Sequence, residues 1–267
     1  MTRVYALVNQ KGGVGKTTTA INLGAYMAAY GKRVAIVDLD PQANATSSLG
    51  VDHEQVSLGT YDVLIRQAPP SNALLHNRKL GLSIIPSSTA LAGAQVELVE
   101  LPEREKTLRR SLSPLENNFD YILIDCPPSL GLLTVNGLLA ASHGVIIPIQ
   151  CEYLALEGLT QLMQTLQRVR SSIFPELSIR GLLLTMYDTR TNLSKDVVDE
   201  VRKHFPKLVF KTIIPRSVRL AEAPSHGLPI SFYAPKSPGA LSYSAFAVEL
   251  LKGDGMTFDK SLLKAEA

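Results

Sequence analysis

The chain has 267 residues, 45% of them apolar and 19% charged. That balance excludes a disordered or charge-rich fibrous polymer and allows one large α/β domain or two small ones. The 27 Lys and Arg against 24 Asp and Glu leave a net charge of +3, too little to announce a nucleic-acid binder by itself. No apolar run approaches the roughly 18 residues of a membrane span, and residues 1–3 enter the first apolar run without a signal-peptide pattern, so a cytoplasmic location is expected. Cys126 and Cys151 form neither a disulfide framework nor a CxxC pair.

Short β-branched runs alternate with longer helical patterns, the signature of βαβ units and a mainly parallel sheet. In chain order, strands are predicted at 4–8, 33–38, 82–85, 121–125, 144–149, 179–185 and 208–214, several of them continuously apolar as doubly covered strands should be. Helices are predicted at 16–30, stopped by Gly31, and at 156–173, where Leu159, Leu162, Met163, Leu166 and Val169 recur at helical spacing and mark a core face. Residues 68–80, with Pro69-Pro70, read as a loop, and 252–267 as a frayed tail. No linker divides the chain, so one domain over 1–251 is expected: α/β, with a twisted, mainly parallel sheet covered by helices on both faces. Basic charge is localised, with eleven Lys/Arg against five Asp/Glu between Arg168 and Arg219.

The first strand runs into Asn9-Gln10-Lys11-Gly12-Gly13-Val14-Gly15-Lys16-Thr17-Thr18, and a helix follows. Glycines let backbone N–H groups turn inward, the helix N-terminus adds its positive end, Lys16 supplies a point charge, and the Thr17 hydroxyl can ligate Mg²⁺: a phosphate cradle. Gln10 stands where the first glycine of Gly-x-x-x-x-Gly-Lys-Ser/Thr would fall, and a second lysine, Lys11, follows it. The second strand ends in Asp38 and Asp40, and the strand at 121–125 ends in Asp125. Carboxylates at the C-terminal edge of a parallel sheet, beside a phosphate loop, can hold a metal through its water shell or orient an attacking water.

Lys11-Gly12-Gly13-Val14-Gly15-Lys16-Thr17-Thr18 resembles the deviant Walker A box of the ParA/MinD ATPases. Asp38-Leu39-Asp40-Pro41-Gln42-Ala43-Asn44-Ala45-Thr46 resembles the A-prime box of their chromosome-partitioning (ParA, or Soj) branch, and Asp125-Cys126-Pro127-Pro128-Ser129 fits Walker B and switch II. The stretches 185–192 and 214–227 are similar to that branch specifically, and the resemblance spans about residues 3–251.

The resemblance implies a P-loop NTPase fold and an ATP-sandwich homodimer in which Lys11 reaches the phosphates of the partner subunit's nucleotide, as an arginine finger does. It assigns Lys16 to the β- and γ-phosphates, residues Gly12 to Thr18 to the cradle, Thr17, Asp125 and Asp38 to Mg²⁺ (the carboxylates through water), and Asp40 to the attacking water. Gly12 would lie where two loops nearly touch, and Met186 and Pro215 are the candidates for the adenine. Non-specific double-stranded DNA is the implied ligand of Arg190, Arg219 and Arg216, with Lys195, Lys203, Lys207 and Lys211 as auxiliaries. A ParB-type DNA-bound protein is the implied activator, and the nucleoid the implied location.

Relatives that position plasmids or protein clusters share these motifs and remain the alternative. A MinD-like membrane cycle would need a basic amphipathic C-terminal helix, whereas 256–267 is short and carries acids among few apolar residues. The five histidines show no ligand spacing, so no catalytic metal besides Mg²⁺ is expected.

Overall fold

The computed structural model describes residues 1–259. Its elements follow the chain as β1 (Arg3–Leu7), α1 (Lys16–Ala29), β2 (Val34–Asp38), α2 (Asn44–Ser48), α3 (Thr60–Leu64), α4 (Pro70–Ala73), β3 (Leu75–Asn77), β4 (Leu82–Ile85), α5 (Leu91–Glu97) and α6 (Thr107–Leu112). They continue as β5 (Tyr121–Asp125), α7 (Leu132–Ala140), β6 (Val145–Gln150), α8 (Ala155–Ser172), β7 (Ile179–Tyr187), α9 (Asn192–His204), β8 (Val209–Pro215), α10 (Val218–Glu222), α11 (Ile230–Tyr233) and α12 (Pro238–Gly253).

One sheet orders the strands β3-β4-β2-β5-β1-β6-β7-β8, parallel throughout except for β3. The central strands are buried along their whole length because both faces are covered. On one face, α1 and α12 pack Leu23, Met27, Phe246 and Leu250 with Tyr5, Ile36 and Leu123. On the other, α7, α8 and α9 bring Leu138, Leu162, Leu166 and Val201 against Val4, Val37 and Ile124. The predicted α/β architecture with helices on both faces is the one observed. Every predicted strand is present within two or three residues at its ends, and the helix at 16–30 closes as expected: Gly31 takes φ +79 and its N–H bonds to the Ala28 carbonyl.

Two expectations need correction. Residues 68–80 are not all loop. Pro70 opens a one-turn helix, where a missing N–H costs nothing, and Leu75–Asn77 pairs antiparallel with β4 as an edge strand. With only three residues, two of them exposed, that strand had no alternation to read. The tail also begins later than 252. The last helix runs through Gly253, and the nearly buried Asp254 carboxylate accepts bonds from Tyr5 (2.8 Å), Tyr121 (2.9 Å) and Arg180 (3.1 Å), which fastens the chain to the N-terminal edge of the sheet. The rest of the expected tail, 260–267, lies outside the described residues. Among the described residues no helix is long and apolar enough to cross a membrane.

Candidate functional site

Parallel strands deliver β1, β2 and β5 to the same edge, and the β1–α1 loop lies across it. Asn9 anchors this loop twice: its amide donates to the Pro148 carbonyl (2.7 Å) and its Oδ1 accepts the Lys11 N–H (3.0 Å). Thr185 on β7 donates to the Val14 carbonyl (2.9 Å). Gly13 and Gly15 have φ +75 and +92, conformations that L side chains rarely adopt, which is why glycine stands there. Gly15 also caps α1, whose first turn has neither a capping side chain nor an acid, so its N–H groups remain open to an anion. A Cβ placed on Gly12 would meet no atom within 4 Å.

Lys16 is buried, and its ammonium curls back to donate to the Lys11 carbonyl (3.1 Å). Burial pushes its pKa below the ordinary lysine value, and Asp125 and Asp40 pull it part of the way back. Lys11 pairs with Glu152, two residues beyond the end of β6.

Register places Asp38 directly beside Asp125 on neighbouring strands. Burial, followed by the charge of Asp38, pushes the Asp125 carboxyl well above the usual carboxylate range, and burial raises Asp38 to about 6. Thr17 Oγ1 donates to Asp125 Oδ2 (2.6 Å), while the buried Asp125 Oδ1 has no hydrogen-bond partner. Two crowded carboxylates, a hydroxyl and an orphaned oxygen are an oxygen-rich set suited to a hard cation such as Mg²⁺, so the residues present fit that ion. Asp38 differs from Asp125 in that its oxygens are taken: Oδ2 accepts the Thr46 N–H (2.8 Å) and hydroxyl (2.6 Å), and Oδ1 accepts the Asp40 N–H (3.2 Å). It therefore holds the loop that carries Asp40, itself buried, with Oδ1 accepting the Gln42 N–H (3.0 Å).

A cavity of about 330 Å³ opens between this loop and the ends of β7 and β8. Gly15, Thr18, Thr185 and Met186 line one side, and Pro215, Val218, Leu220 and Ala221 the other. Met186 sits at φ +53, where the β7–β8 register shifts, a strained position for a side chain without local hydrogen bonding.

Of the three arginines, Arg216 itself lines the cavity, and Arg190 and Arg219 lie outside its lining. Tyr187 on β7 pairs with Pro215 on β8, and the Arg216 N–H bonds to the Tyr187 carbonyl (2.9 Å), so Arg190 follows one strand and Arg216 and Arg219 the other, all exposed. Of the auxiliary lysines, Lys195 begins α9 at this edge. Lys203 near the end of α9 and Lys207 before β8 fall towards the opposite edge, and Lys211 lies in the first half of β8.

A family model described as an AAA domain matches residues 2–179. The sporulation initiation inhibitor protein Soj of Bacillus subtilis (strain 168) is 52% identical over 250 residues, which cover 94% of this chain and 98% of that one. The chromosome-partitioning ATPase Soj of Treponema pallidum (strain Nichols) is 52% identical over 255 residues, 96% of this chain and 99% of that protein. The chain belongs to the Soj/ParA chromosome-partitioning ATPases of the ParA/MinD superfamily. A solved structure described as cobyrinic acid a,c-diamide synthase from Mycobacterium smegmatis, with bound ADP and magnesium, superimposes with a TM-score of 0.84 at 42% identity, covering 96% of each chain.

Several residues of this site carried no signal in the sequence. Tyr243 reaches it from α12, at the far end of the chain. Glu152 became visible only as the partner of Lys11. Ser87 carried no signal in the sequence: its backbone N–H donates to the Thr46 hydroxyl (2.8 Å), which places it behind Asp38.

Proposed function

We propose that this ATPase is a partitioning switch: it binds Mg²⁺–ATP at residues 11–18, pairs with a second copy, and in that state holds double-stranded DNA without sequence preference. Hydrolysis, stimulated by a ParB-type DNA-bound partner, releases it. The observation that carries the reading is the shared cavity wall: α10 turns Val218, Leu220 and Ala221 towards the nucleotide loop and carries the exposed Arg219. A ligand filling the cavity therefore touches the element that bears the basic side chain.

In this reading the cradle from Gly12 to Thr18 and Lys16 hold the phosphates, and Met186 and Pro215 flank the adenine. Thr17 and the free oxygen of Asp125 hold the metal's shell, with Asp38 supporting it from behind through Thr46 and Asp40. Mg²⁺ supplies neutralising charge on the phosphates. Asp40 orients the attacking water, an interaction that matters mainly in the transition state. Lys11 leaves Glu152 and acts across the dimer, where the exposed Tyr153 and Leu154 offer apolar surface beside it. Arg190, Arg216 and Arg219 meet phosphates of the DNA backbone, contacts that carry no sequence information. The proposed location is the nucleoid, in the cytoplasm, and the proposed cargo the chromosome.

Titration of two unrelated duplexes by interferometry tests this. With ATP the two should bind alike, with an affinity that falls steeply as salt rises through counterion release. Equal affinity with ATP and ADP would refute the switch.

A further inference from the structure

Three of the cations proposed to act between molecules are already paired within the subunit: Lys11 with Glu152, Arg190 with Asp188, and Arg219 with Glu222. The two pairs on the basic edge are built differently from casual surface contacts. Asp188 Oδ1 accepts both the Arg190 backbone N–H (3.0 Å) and its Nε–H (2.8 Å), and Oδ2 accepts a guanidinium N–H (2.6 Å). The guanidinium thus lies against its partner through two N–H groups although the side chain is 82% exposed, while the Asp188 side chain is only 14% exposed. Glu222 Oε2 accepts from Arg219 (2.9 Å) and from the Tyr233 hydroxyl (3.1 Å), and the Tyr233 ring stacks on His226 at 4.7 Å. Both carboxylates are therefore fixed from a second side, Asp188 by a backbone N–H and Glu222 by a tyrosine. Their bonds to the arginines and to these second donors hold both carboxyls below the usual carboxylate range, so both are charged at neutral pH.

A guanidinium has a limited set of N–H groups, and those facing a carboxylate are not available to a phosphate. A DNA phosphate approaching Arg190 or Arg219 also meets the adjacent negative charge. Resting on the DNA-binding reading above, we propose that Asp188 and Glu222 are intramolecular competitors for the DNA phosphates. Each binding event exchanges two carboxylates per subunit for two phosphodiesters. The exchange weakens the face of a single subunit, and useful affinity then requires two subunits presenting their arginines together.

Asp188→Asn and Glu222→Gln, each in the full chain with ATP, test the competition against a DNA duplex. Asn keeps an oxygen for the Arg190 backbone N–H, Gln keeps one for Tyr233, and neither residue lines the nucleotide cavity. An exposed ion pair is worth at most roughly fivefold in an equilibrium constant. Since a dimer uses each arginine twice, affinity should rise by about 4- to 25-fold in either variant. The salt dependence should steepen, because the freed guanidinium now neutralises a phosphate in full. Asp199→Asn removes the same charge from the exposed surface of α9 without an ion pair to either arginine, so it gives the rise due to long-range charge alone. A rise no larger than in Asp199→Asn overturns the competition. Weaker binding in Asp188→Asn or Glu222→Gln also overturns it, since the carboxylates would then be holding the arginines in their binding pose. If instead the wild type with ATP binds no DNA, the DNA reading fails together with the inference built on it.

Discussion

Two regions share the C-terminal edge of the sheet and are built on opposite principles. Around β1, β2 and β5, ionisable groups are buried, crowded and fixed by short bonds: Lys16, Asp38, Asp40 and Asp125 are each less than a tenth exposed. Around the ends of β7 and β8 the arginines stand in solvent, and Arg190 and Arg219 are each paired with a carboxylate two or three residues away in the chain. Burial makes the first region specific, because an unpaired charge there is costly and only a ligand of the right charge and shape relieves it. Exposure makes the second region tolerant and salt-sensitive, as binding to a uniform polyanion requires. The 330 Å³ cavity joins them.

The contrast is sharpest when the buried cation is removed. Lys16→Ala should cost about 3 kcal/mol or more, on the order of a hundredfold in ATP affinity, because a charge-assisted contact to the phosphates is lost at a buried position. Calorimetric titration checks this, and tight ATP binding by the variant would break the assignment of the loop. On the exposed side, Arg219→Glu should abolish DNA binding at physiological salt while ATP-driven pairing, read by light scattering, survives. Arg190→Ala should weaken binding more mildly and flatten the slope of log affinity against log salt by about 2, one contact from each subunit. Loss of pairing in either variant would mean that the two regions are not separable. A smaller and more selective effect is expected from Asp40→Ala, which should leave ATP binding intact and slow hydrolysis by about a hundredfold, in single-turnover measurements. Unchanged turnover would place the water-orienting group elsewhere.

The same contrast governs how much could be read from sequence. The phosphate loop was legible because strand, glycines, Lys16 and Thr17 are contiguous, and the mainly parallel sheet follows from βαβ alternation. The division of labour between Asp38 and Asp125 was not: both end apolar strands, and only the fold reveals that Thr46 and the Asp40 N–H occupy Asp38 while one oxygen of Asp125 stays orphaned. On the basic edge, sequence gave an excess of charge without geometry. Pairing of Tyr187 with Pro215 gathers Arg190, Arg216 and Arg219, while the path of α9 carries Lys203 away from them. Asp188 was counted against the charge of the basic stretch and Glu222 fell outside it, and neither was recognised as the partner of a particular arginine. Met186 carried no signal of its strained φ, which arises from the register shift between β7 and β8.

The central claim is that DNA affinity follows pairing of subunits rather than occupation of the nucleotide site alone. Gly12→Val tests it most directly, because a Cβ there meets no atom of its own subunit within 4 Å, while in the proposed dimer it would stand between two loops. Light scattering and duplex binding should be measured together, with saturating ATP. The account predicts a variant that binds ATP, stays monomeric and holds DNA no better than the wild type with ADP. An ATP-bound Gly12→Val monomer that binds DNA as tightly as the wild type with ATP would contradict it.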